Sequence, residues 1–119
     1  MNDILLTIST FTDIIIDTQV LTQRQDNRIM ELRVRLKLLD NSILEITEIL
    51  VFDISKRKYS FQWMDENYDL KIRWDNAPHH RQIATFPHHK HIKQEENIHE
   101  SEEPTIEEIL ELIRSEINR

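Results

Sequence analysis

Between Arg28 and Leu39 every second residue is apolar: Met30, Leu32, Val34, Leu36 and Leu38 alternate with Glu31, Arg33, Arg35 and Lys37. A repeat of two describes a strand with one buried face and one wetted face. Asp40-Asn41-Ser42 follows as a hairpin turn. The chain has no glycine, so Asn41 is the residue that takes positive φ at modest cost. The return strand is 43–53, and the alternation predicts a register that buries Leu32, Val34, Leu36, Leu44 and Ile46. A slip of one residue would expose the whole set.

Downstream, Tyr59-Ser60-Phe61-Gln62-Trp63 and Leu70-Lys71-Ile72-Arg73-Trp74 form a second alternating pair around a turn at 65–68. Upstream, 2–12 reads as a short amphipathic helix, 13–22 as a first strand rich in β-branched residues and 23–27 as a turn. Ser55 to Lys58 is a basic connector. Pro78 and Pro87 mark 75–92 as an ordered loop or broken strand, and the polar stretch 95–103 reads as a solvated linker. The apolar spacing after Pro104 predicts a helix over 104–117, capped by Ser101 or Thr105 and with acidic residues in its first turn. The expected fold is therefore α+β: an antiparallel meander of four to five strands with an N-terminal and a C-terminal helix. It forms one domain over 1–119, with the sheet and histidine-rich loop in 28–92.

At 119 residues one core suffices. The chain lacks cysteine, which removes disulfides and thiolate metal sites and makes the cytoplasm the expected compartment. No leader and no run of about 20 apolar residues is evident, so a membrane role is not expected. The net charge of -7 argues against coating nucleic acid by bulk electrostatics. That acidity lies mainly in 95–116, where glutamates surround a single arginine, Arg114.

Five of the six histidines fall in one short segment: His79, His80, His88, His89 and His91. Histidine exchanges protons near neutral pH, so a cluster on a rigid frame suits general acid/base catalysis. Two other readings stay open: a metal site, which neutral imidazoles at short spacing can form, and a structural role in bonding loop backbone. Arg73 falls on the polar face with Lys71 and Asp75. Arg33, Arg35 and Lys37 line a polar face too, as a basic stripe suited to phosphate or as partners of nearby carboxylates. Glu48 interrupts the inward set Leu44, Ile46, Leu50 and Phe52; a buried carboxylate needs a partner or a shifted pKa, so it reads as a site group or a satisfied contact. Trp74, Asp75, Asn76 and Lys90 flank the histidines as expected substrate contacts, and Trp74 is the aromatic placed to stack a base.

The blocks Arg73-Trp74-Asp75-Asn76-Ala77-Pro78-His79-His80 and Thr85-Phe86-Pro87-His88-His89-Lys90-His91 resemble the TumE family of prokaryotic toxins. Tyr59 to Trp63 and Leu44 to Glu48 resemble two of its strands, and coverage runs from about residue 28 to the C-terminal helix. The sequence departs from the family pattern at Phe61, where tyrosine is common, at Gln62, where histidine is common, and at Asn41, which replaces a turn glycine. The resemblance implies a toxin restrained by an antitoxin, commonly a helix-turn-helix protein, with homodimer formation left open. Joined to the histidine cluster, it implies an endoribonuclease that uses no metal or other cofactor: two histidines exchange protons with RNA while Arg73 or Lys90 stabilises the phosphate. A non-catalytic inhibitory binding protein and a metal-dependent nuclease are the alternatives.

Overall fold

The computed structural model describes residues 3–119. Elements run in the order α1 (Asp3–Ile8), β1 (Ile15–Gln25), β2 (Ile29–Leu38), β3 (Ile43–Val51), β4 (Lys56–Met64), β5 (Leu70–Asp75), β6 (His89–Ile92), β7 (Ile98–Glu100) and α2 (Ile106–Ile117), with a 3-10 turn at Phe52–Ile54. Among the described residues the fold is α+β, with seven strands in one antiparallel sheet, each pairing with its sequence neighbour from β1 to β7.

The hairpin of β2 and β3 has the expected register, with Leu32 opposite Glu48, Val34 opposite Ile46 and Leu36 opposite Leu44. All five expected core residues are buried. Asn41 takes φ 68° at the turn, and the Asp40 carboxylate accepts from the backbone N–H of Ser42 at 3.0 Å. The Trp63 indole donates to Ser42 Oγ at 3.0 Å, tying β4 to this turn.

The sheet is larger than the four to five strands expected. The segment 75–92 is not all loop, because His89–Ile92 pairs with β5, and 95–103 is not all linker, because Ile98–Glu100 pairs with β6. Both strands are short and polar, and their backbone groups are satisfied by a neighbour that local periodicity does not reveal. The expected connector at 55–58 mostly belongs to β4, whose Lys56 to Lys58 pair with Val51 to Ile49. The turn expected at 23–27 lies later, since β1 continues to Gln25, and Asp26 Oδ1 then accepts from the backbone N–H groups of Arg28 and Ile29. β1 is an edge strand interrupted by two register shifts, a form that discourages further pairing along that edge.

The N-terminal helix expected over 2–12 is shorter, and its first position, Asn2, lies outside the described residues. Ser9 and Thr10 hydroxyls donate to the carbonyls of Leu6 and Thr7, bonding that competes with continued helix. The C-terminal helix begins at Ile106 rather than at 104. Thr105 caps it through a reciprocal box: its hydroxyl accepts from the Glu108 N–H at 3.1 Å, and the Glu108 carboxylate accepts from the Thr105 N–H at 2.9 Å. Thr105→Ala is expected to cost about 1 kcal/mol, read as a lower urea midpoint at unchanged slope.

Both helices cover one face of the sheet. Ile4 and Ile8 of α1 and Ile106, Ile109, Leu110 and Ile113 of α2 join Leu32, Val34, Ile46, Phe61 and Trp74 in the core. Arg114 of α2 donates twice to Asp13 and lies over the Phe11 ring. No described helix is long and apolar enough to cross a membrane.

Candidate active site

Alternation places two rows of polar side chains on the face opposite the helices. One row runs through Glu45, Gln62, Arg73 and His91, and the other through Thr47, Ser60, Asp75 and His89. The rows end in a cavity of about 790 Å3 whose lining includes Ser60, Gln62, Arg73, Asp75, His79, His80, His89, His91 and Glu95.

Asp75 is the hub. It is 7% exposed. Its Oδ1 accepts from the Ala77 N–H at 3.0 Å and lies 3.0 Å from His89 Nε2; its Oδ2 accepts from Arg73 Nε at 3.1 Å and lies 3.4 Å from His91 Nε2. His89 and His91 are almost fully buried. Their second ring nitrogens face main-chain carbonyls, His89 Nδ1 at 3.0 Å from the Pro87 oxygen and His91 Nδ1 at 2.6 Å from that of Glu95. A carbonyl only accepts, so both Nδ1 atoms carry hydrogen and both rings are fixed.

His80 closes the cluster from the turn after β5. Its ring lies 4.8 Å from that of His89 and 5.9 Å from that of His91, and His89 and His91 are 4.9 Å apart, all edge to face. One nitrogen from each of the three rings falls in a group whose members all lie within 4.8 Å of one another. His79 is exposed, and its ring lies 6.5 Å from that of His80.

Arg73 gives both terminal nitrogens to the Glu95 carboxylate. Burial works to lower its pKa, but the hydrogen bonds to Glu95 and Asp75 outweigh this and raise it. The same guanidinium holds the Glu95 carboxyl below the usual carboxylate range. A two-toothed grip on a planar anion is the geometry by which arginine also takes phosphate.

The other expected site residues are elsewhere. His88 lies on the helix-bearing side, stacked on Tyr59 with its Nδ1 3.0 Å from the Tyr59 hydroxyl and its Nε2 3.5 Å from Glu103. Burial, then the Glu103 charge, pushes the Tyr59 phenol up. Glu48 shares this network: Arg57 bridges Glu48 and Glu103 at 2.8 and 2.7 Å and lies over the Tyr59 ring. Trp74 is a core residue, 5% exposed, with Lys90 opposite it on the same face. Asn76 extends the pairing of β4 and β5, its amide accepting from the Tyr59 N–H and donating to the Arg57 carbonyl. Two members of the basic stripe are paired with carboxylates, Arg33 with Glu31 and Arg35 with Glu45. Lys71 lies over the Trp63 ring.

Gln62, which the sequence shows only as a departure from the family pattern, lines the cavity, as do Ser60, Glu95 and Glu96, which the sequence does not single out. The parity of Gln62 with Arg73 across the second hairpin was a usable signal. Glu95 offered none, being one glutamate among many.

A family model described as Toxin TumE matches residues 4–119. No curated protein and no solved structure matches the chain.

Proposed function

The chain belongs to the TumE family of toxins, and from that premise we propose that it is an endoribonuclease whose catalytic groups are the histidines around Asp75. Membership of a toxin family implies an antitoxin partner, and in this reading a helix-turn-helix protein fills that role. The observation that carries the proposal is the convergence of His80, His89 and His91 beside the Arg73 fork in one open cavity.

In this reaction an imidazole takes the proton of an RNA 2′-hydroxyl, and the freed oxygen attacks the adjacent phosphorus. The bond from phosphorus to the 5′-oxygen breaks, and a second imidazole, carrying a proton, delivers it to the departing oxygen. His80 supports the first role, being half-buried at the cavity wall, with no hydrogen bond to its ring among the described residues. The Asp75-held pair of His89 and His91 supplies the second. Arg73 takes the phosphate in place of Glu95 and stabilises the charge that builds on it. No metal or other cofactor enters these steps.

Induced expression followed by transcript-end mapping tests this reading. The expected result is new 5′-hydroxyl ends paired with 2′,3′-cyclic phosphates. Growth arrest without new ends would instead make the chain a non-catalytic inhibitory binding protein. New 5′-phosphate ends would point to attack by water and a metal-dependent nuclease.

A further inference from the structure

Every ring nitrogen of His89 and His91 faces an acceptor. The Nδ1 atoms face the carbonyls of Pro87 and Glu95, and the Nε2 atoms face the two oxygens of Asp75. When these rings are neutral, each has one N–H, which its carbonyl claims, and the Nε2 lone pair is left beside a carboxylate oxygen. Lone pairs from two rings and one carboxylate converging on a small volume call for positive charge there. The two rings stand 4.9 Å apart, so a single divalent ion between them meets both lone pairs at once.

We infer that His80, His89, His91 and Asp75 form a binding site for one divalent ion of the zinc class. Three lines of geometry agree. Ligand atoms around a tetrahedral zinc lie about 3.3 Å apart, given metal–nitrogen bonds of roughly 2.0–2.1 Å; the Asp75 oxygens already stand 3.0 and 3.4 Å from the two Nε2 atoms. His80 lies with the two buried rings in a group whose ligand atoms are all within 4.8 Å of one another, its place on the turn after β5 lets its ring close that gap, and Asp75 adds the carboxylate beside His89 and His91. Both buried imidazoles donate their remote N–H to main-chain carbonyls, the outer-shell arrangement that fixes metal-binding histidines. Three nitrogens and one carboxylate select zinc, nickel, cobalt or copper over magnesium or calcium, which prefer oxygen.

Calorimetric titration of the untagged, chelator-treated full chain with zinc chloride, with no RNA present, tests the site. One ion per chain is expected, with no comparable signal from magnesium chloride. His80→Ala should weaken binding by more than the about 10- to 100-fold that loss of an outer partner costs. His99→Ala, at an exposed position on β7, should leave affinity unchanged. Absence of zinc binding, or equal affinity in the wild type, His80→Ala and His89→Ala, overturns the site; His80→Ala keeps the test decisive if loss of a buried ring unfolds the chain. A chain that binds zinc as described but cleaves no RNA fails the acid/base reading alone.

Discussion

His80→Ala is expected to lower RNA cleavage about 10²- to 10⁴-fold, the usual worth of a positioned proton-transfer group, and to relieve growth arrest accordingly. The same change should leave stability within about 0.5 kcal/mol of wild type, as for substitutions outside packed or hydrogen-bonded positions. This separation makes His80 more informative than its buried neighbours: it is half-buried and meets the other histidine rings edge to face. His89→Ala or His91→Ala would remove a buried ring that is hydrogen-bonded to a main-chain carbonyl and packed beside Asp75, mixing loss of chemistry with loss of fold. The comparison needs single-turnover cleavage of one defined RNA, with thermal melts of each variant. Full activity in a folded His80→Ala protein would remove the ring from the reaction and leave the proton exchange to His79 or the Asp75 pair.

The largest effect on stability is expected at Phe61. This side chain is completely buried, paired with Ile46 of β3 and Trp74 of β5, with the Tyr59 ring 5.4 Å away. Phe61→Ala should cost about 3–5 kcal/mol, the lost transfer energy plus an unfilled cavity. That is a large share of the roughly 5–15 kcal/mol by which domains are stable. Urea unfolding at constant temperature measures it, and a loss below about 1 kcal/mol would mean that neighbouring side chains collapse into the space. Phe86, which is 37% exposed, provides the contrast, with a small expected effect on the same measurement.

The parts of the fold visible in the sequence were those where one face is wet and the other dry. β2 and β3 satisfy that condition over their central residues, and β4 and β5 carry enough of it in Phe61, Trp63, Ile72 and Trp74. β1 does not, because nearly all its residues are at least partly exposed, and an edge strand with two bulges leaves no regular alternation to read. β6 and β7 are too short for a period to accumulate, and the third residue of β6 is a buried histidine whose polarity misleads any hydrophobic count.

The site was legible as a neighbourhood rather than as a constellation. His79, His80, His89, His91 and Arg73 line one cavity and His88 does not, a division that a reading of 75–92 as mainly loop leaves no parity to draw. With 89–92 as a strand, His88 and Lys90 separate from His89 and His91 at once, and Asp75 and Arg73 fall opposite the latter pair. Asp75 then changes from a flanking contact to the group on which both rings and the arginine converge. The Arg73–Glu95 pairing depends on a turn at 93–97 that the sequence gives no means of aiming.

The purely sequential order of the sheet carries a kinetic consequence. Each strand meets its partner after a short excursion of chain, so most of the sheet closes loops of low entropic cost, and one hairpin can template the next. The exception is the covering layer: α1 and α2, at opposite ends of the described chain, reach the same sheet face, and Asp13 is bonded to Arg114. The histidine cavity is built from the later strands, away from that layer. Its assembly therefore waits on β5 and β6 meeting, while the long-range closure of the helices seals the opposite side.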